Sequence, residues 1–208
     1  MGRKINTAKQ AAKLEKALKA GLKKAAEEKI APMVKEELKK KTKSKMKTDF
    51  KPNQDIGKAE NNKARRQLSG QKDKLTKTLT SDFWIENTPL MQSGDRSYII
   101  IRNTAKPNDP LWNRNNSEDT TLTDWIVNGK MVIHPALTNY RGKYVDDAII
   151  DPDVSDWDDY VQKYRFKPVD FIKITKKEIR SKKYKERMAK DIRNAMQEEI
   201  NKVFKKTK

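Results

Sequence analysis

The sequence predicts an α+β fold: a small antiparallel β-sheet packed against long N- and C-terminal amphipathic helices. Three observations carry that expectation. Both ends of the chain repeat apolar residues at helical spacing among lysines and glutamates. The middle is rich in β-branched and aromatic residues, and clusters of Gly, Pro, Asn and Asp separate the blocks.

Residues 7–46 read as the first helix, with Thr7 as its N-cap. Leu14, Leu18, Leu22, Ala26, Ile30, Val34 and Leu38 recur every four residues, close to the 3.6-residue helical period. Glu15 and Lys19 stand at i,i+4. Pro32 has no N–H to donate, so the helix is expected to kink there or a second one to begin. Residues 47–79 are polar and read as a linker, with a short helix around Ala59–Leu68.

The segments 82–91 and 96–104 then predict a hairpin, with Gln92-Ser93-Gly94-Asp95 as its turn. Residues 105–121 form a loop. Residues 121–130 predict a short helical turn capped by Thr123 and ended by Gly129, and 131–137 a short strand stopping before Pro135. Residues 164–175 read as extended through Pro168, followed by a helix of about thirty residues judged from its apolar period. The expected organisation is therefore an N-terminal helical arm (1–46), a lysine-rich linker (47–80) and an α+β core with the C-terminal helix (81–208).

Charge is sorted along this chain. The formal net charge is +19, yet residues 1–80 carry +15, residues 81–160 carry −7 and residues 161–208 carry +11. Two basic flanks enclose an acidic centre, a pattern that implies electrostatic contact with a polyanion or with another copy. There is no run of eighteen apolar residues and no leader-like start, so a soluble protein made in a cytoplasm is expected, without a membrane partner. The absence of cysteine excludes disulfides, thiolate metal sites and a thiol nucleophile.

The acid is concentrated in DPDVSDWDDY, where Asp151, Asp153, Asp156, Asp158 and Asp159 fall within nine residues. A calcium loop starting at Asp151 would need glycine at its sixth position and glutamate at its twelfth; the chain has Asp156 and Gln162. A solvated acidic loop fits better, and Trp157 and Tyr160 within it supply packing contacts. His134, the only histidine, reads as a structural residue. No catalytic grouping, phosphate loop or dinucleotide fingerprint is present, so neither an enzyme nor a cofactor or metal is expected.

Lys13, Lys16, Lys19, Lys23 and Lys24, with Arg65 and Arg66, could neutralise phosphates or meet an acidic partner. They equally suit a solvated helix face, because glutamates alternate with them and residues 1–49 hold no aromatic for base stacking. Trp84, Trp112, Trp125 and Trp157 read as core residues, with Trp112 alternatively an anchor for a neighbouring subunit.

Four segments taken in order, KINTAK (4–9), IIIRNTAKP (99–107), LTDWIVNGK (122–130) and KPVDFIKITKKEI (167–179), resemble the neck and tail-completion proteins of long-tailed bacteriophages. Lys167-Pro168-Val169 stands where that pattern has Arg-Pro-Phe, and the acidic stretch 146–160 and the long lysine-rich segment are additions to it. The resemblance implies a non-enzymatic virion protein at the head–tail junction. It would form a ring, a hexamer, that joins tail to head connector around a DNA channel. Other neck, connector and tail proteins would be its partners, with transient contact to DNA. A ring uses heterologous contacts, so an acidic edge formed by residues 146–160 can meet a lysine-rich helix on the next subunit and fix register. The alternative reading is a basic DNA-binding or packaging accessory protein.

Overall fold

The computed structural model describes residues 7–51, 72–106, 121–129 and 167–205. The described elements are α1 (Thr7–Lys24), a π turn (Ala25–Ile30), α2 (Ala31–Asp49), α3 (72–79), β1 (Ile85–Asn87), β2 (Met91–Ser93), β3 (Arg96–Tyr98), β4 (Ile101–Asn103), α4 (Leu122–Val127), α5 (Phe171–Ile179) and α6 (Lys182–Lys205). This is the expected α+β architecture: long terminal helices with a small antiparallel β element. The expected strand at 131–137 and the helix at 59–68 lie outside the described residues.

Pro32 does not break the N-terminal helix. The turn just before it widens instead, and the Ala31 N–H donates to the Ala26 carbonyl five residues back. A proline ring in an α-helix presses on the carbonyl four residues earlier, and a widened turn gives that contact room. The Glu15–Lys19 pair forms at 2.6 Å on the exposed surface.

The β element is a hairpin interrupted midway. At its tip Ser93 faces Arg96, so the loop is Gly94-Asp95. Gly94 has φ +57°, and no residue other than glycine has positive φ among the described residues. That sign pattern is the one in which glycine occupies the first loop position and any residue the second. Below the tip Pro89 cannot donate to a ladder, and β1 pairs with β4 as a separate two-stranded sheet. Thr88 spans the gap. Its N–H donates to the Ile100 carbonyl at 3.0 Å, and its hydroxyl accepts from the Ile100 N–H at 3.1 Å.

Three boundaries differ from the sequence expectation. The residues 72–79, read as linker, are helical and bury Leu79. The cap of α4 is Thr121 rather than Thr123: the Thr121 hydroxyl accepts from the Asp124 N–H, and the Asp124 carboxylate accepts from the Thr121 N–H. This reciprocal arrangement satisfies two of the otherwise orphaned donors at the helix start. The single C-terminal helix is two helices. Asp170 caps α5 by accepting from the Lys173 N–H at 2.9 Å, so helix starts at Phe171, and Ser181 accepts from the Tyr184 N–H after a break at Arg180. Two capping side chains eleven residues apart favour two helices over one.

The chain forms two compact units interleaved along the sequence. One comprises residues 1–37, 87–102 and 176–208, and the other residues 38–86 and 103–175. In the first, the continuous helical run from α1 into α2 lies antiparallel to α6, as the pairs Lys24–Glu198 from α1 and Glu37–Tyr184 from α2 require. The buried residues of their seam are small: Ala17, Gly21 and Ala25 on the N-terminal side, Ala195 on α6. A Cβ on Gly21 would lie 2.5 Å from Met196 Cα and 3.0 Å from the Ala195 carbonyl oxygen, so the two backbones are nearly in contact there. In the second unit Met46, Leu79, Ile85, Ile126, Val169 and Phe171 are fully buried, and each contributes about 1.5–3 kcal/mol by leaving water.

Candidate functional site

Within the second unit three of the sequence segments quoted above meet. Asn103, buried at the end of β4, donates from Nδ2 to the Leu79 carbonyl at 3.0 Å, and its Oδ1 accepts from the Ala105 N–H at 2.9 Å. The Ala105 carbonyl accepts from the Leu122 N–H at 2.8 Å, which ties the Asn-Thr-Ala strand end to the start of α4. At the other end of α4 the Ile126 carbonyl accepts from the Val169 N–H at 3.1 Å. Gly129, with φ +64°, ends α4 against the Pro168 ring, where a Cβ would come within 2.8 Å. Leu122, Trp125, Ile126, Val169 and Phe171, on these same segments, are buried. This is a packing centre made of backbone bonds and apolar side chains, and it positions α4 and α5.

The first unit presents charge. Lys24 Nζ lies 2.8 Å from Glu198 Oε2 and 3.9 Å from Glu199 Oε1, joining α1 to α6. The hydrogen bond between them, followed by their mutual attraction, raises the Lys24 pKa and lowers that of Glu198. Glu15 is lowered in the same way by its hydrogen bond to Lys19. Lys13, Lys16, Lys19 and Lys23 are exposed on α1. In the other unit Lys45 at 2.7 Å holds the Asp49 carboxyl below its usual range, first through the hydrogen bond to Lys45 and then through that to Thr48.

One polar contact is set apart from this surface. Glu37 is buried at 8% exposure, and the Tyr184 hydroxyl donates to its Oε2 at 2.5 Å. Burial, then the hydrogen bond to Glu37, pushes the Tyr184 phenol from 10.0 up to about 12. A raised pKa means that folding favours the protonated phenol. The stability it contributes is complete below pH 10, falls as pH rises toward 12, and is gone above that. Tyr184→Phe should therefore flatten the decline of unfolding midpoint between pH 9.5 and 12, a window that follows from the shifted phenol value. Urea melts of both proteins across that range check it; identical declines would contradict the coupling.

Of the residues singled out in the sequence, Trp112, Asp151, Asp153, Asp156, Asp158, Asp159, Arg65 and Arg66 lie outside the described residues, as does His134. Sequence reasoning passed over Glu37, Tyr184, Gly21 and Asn103. Only Asn103 had a legible signal, as the polar residue closing an apolar strand in IIIRNT. Among the described residues no group of three or more His, Asp or Glu is placed to hold a metal ion, and no helix is long and apolar enough to cross a membrane. No protein family, characterised protein or solved structure matches the chain.

Proposed function

We propose that the protein is a non-enzymatic structural subunit of a phage head–tail junction, which self-associates into a ring joining tail to head connector. The observation that carries this reading is the packing centre around Asn103, α4 and Pro168. Three of the four short segments on which the resemblance rests bond to one another there. The sorted charge supports the same reading, because ring contacts join unlike faces and an acidic stretch on one subunit suits a basic helix on the next.

The full-length protein examined by negative-stain microscopy and light scattering should give closed rings of uniform size. Neutralising Asp156, Asp158 and Asp159 to asparagine should shift it toward monomer at physiological salt. A wild-type chain that stays monomeric at every concentration would overturn the assignment. Steep, tight binding of duplex DNA by such a monomer would move the function to a DNA-packaging accessory protein.

A further inference from the structure

The α1–α6 pair carries a chemical pattern that one basic helix meeting an acidic edge does not require, because it spans two helices and includes uncharged donors. At 100° per residue, the exposed Lys13, Lys16 and Lys23 fall within about 40° of one line along α1. On α6, the exposed Lys183, Arg187, Lys190, Asn194, Gln197 and Asn201 do the same over a length of about 27 Å. Neither stripe contains a carboxylate: Glu15 stands well round α1, bonded to Lys19, and the residues between the α6 positions that are acidic lie off the line.

Both stripes lie on one side of the helix pair. Lys24 stands about 60° further round α1 from its stripe, and Glu198 the same angle in the same sense from the stripe on α6. These two side chains meet at 2.8 Å across the seam. For antiparallel helices, equal rotation in the same sense puts both stripes on the side of the pair that carries the Lys24–Glu198 bridge, each about 120° round from the buried Gly21 and Ala195.

We propose that this face binds the sugar-phosphate backbone of double-stranded DNA. A row of Lys and Arg neutralises phosphates, while Asn and Gln donate hydrogen bonds to phosphate oxygens without adding charge. The stripe on α6 combines both kinds of donor, whereas an ordinary solvated helix face intersperses acids with its lysines. The stripes carry no aromatic residue, so they offer no stacking platform for the unpaired bases of a single strand. Recognition is by charge and spacing along the backbone, and is therefore independent of base sequence.

The inference stands on the first unit alone and does not depend on the ring; rings without DNA affinity would overturn it and leave the assembly reading intact. Fluorescence anisotropy with a random 30-base-pair duplex and the full-length protein tests it from 50 to 200 mM KCl. Six phosphate-facing cations give a slope of log Kobs against log salt near −5, which is a loss of about 10³-fold over that range. Two separate triple variants, Lys13, Lys16 and Lys23 to Gln on α1 and Lys183, Arg187 and Lys190 to Gln on α6, should each make the slope shallower by about 3. The matched triple Lys40, Lys43 and Lys47 to Gln, exposed on α2, should leave it unchanged. Circular dichroism establishes that every variant is folded. No binding at 50 mM, an equal loss from the α2 variant, or binding of the matching single strand as tight as the duplex would each overturn the proposal.

Discussion

Gly21→Leu should unfold the first unit under conditions where the wild-type protein is folded, with a loss of about 3 kcal/mol or more. The reason is what stands opposite. A Cβ at this position would meet Met196 Cα at 2.5 Å and the Met196 nitrogen at 2.8 Å, and backbone atoms cannot turn aside as a side chain would. The helices must separate, and the contacts made by Ala17, Ala25 and Ala195 loosen together. Gly21→Ala gives the graded test. Alanine is favoured over glycine in a helix interior by about 1 kcal/mol, so an uncrowded site would be stabilised. Here overpacking of about 1–3 kcal/mol opposes it, and a net loss is expected. Urea melts followed by circular dichroism measure both. Combining Gly21→Ala with Met196→Ala should restore nothing, since the obstruction is main chain; a full rescue would show that the helices are not in backbone contact.

The same seam shows where sequence reasoning stopped. Periodicity located the N-terminal helix to within three residues of its far end, because helix period is written in one residue's relation to the next. It assigned the buried face to Leu14, Leu18 and Leu22. Leu14 is 37% exposed, and the close-packed residues are the adjacent small ones. An apolar scale ranks leucine above glycine, whereas close approach of two backbones selects for the absence of a side chain. The cap of α4 was missed by two residues for a related reason. Thr121 and Thr123 are alike as caps taken singly, and only Asp124 answering back to the Thr121 N–H decides between them. The α5–α6 break was visible as Asp170 and Ser181, but the strong apolar period across it masked them. Glu37 shows the limit most clearly. On an exposed helix face a glutamate is unremarked, and its burial follows from Tyr184, 147 residues away.

Asn103→Ala should cost the second unit about 2–4 kcal/mol, since it leaves two buried main-chain groups, the Leu79 carbonyl and the Ala105 N–H, without the side-chain partner each has now. Truncation alone does not identify hydrogen bonding as the cause, because it also opens a small cavity. Asn103→Asp separates the two effects. It keeps the shape and the acceptor for the Ala105 N–H, but sets a second oxygen against the Leu79 carbonyl where Nδ2 now donates. At neutral pH the buried charge and the two facing oxygens should make this variant at least as unstable as Asn103→Ala. Lowering the pH should then help it. A carboxyl in that position has its pKa raised by burial and by the facing carbonyl, and once protonated it can donate to Leu79 as the amide does. A group whose folded pKa is raised gives stability that is complete below its unfolded value and lost as pH climbs through the folded one. The gap between Asn103→Asp and wild type should therefore narrow as pH falls below neutral, while the gap for Asn103→Ala stays constant. Unfolding midpoints for the three proteins between pH 4.5 and 7.5, a range set to bracket a raised carboxyl pKa, make the comparison. If both gaps stay constant, cavity formation rather than the lost donor is what Asn103 guards against, and the strand end is held to α4 by packing alone.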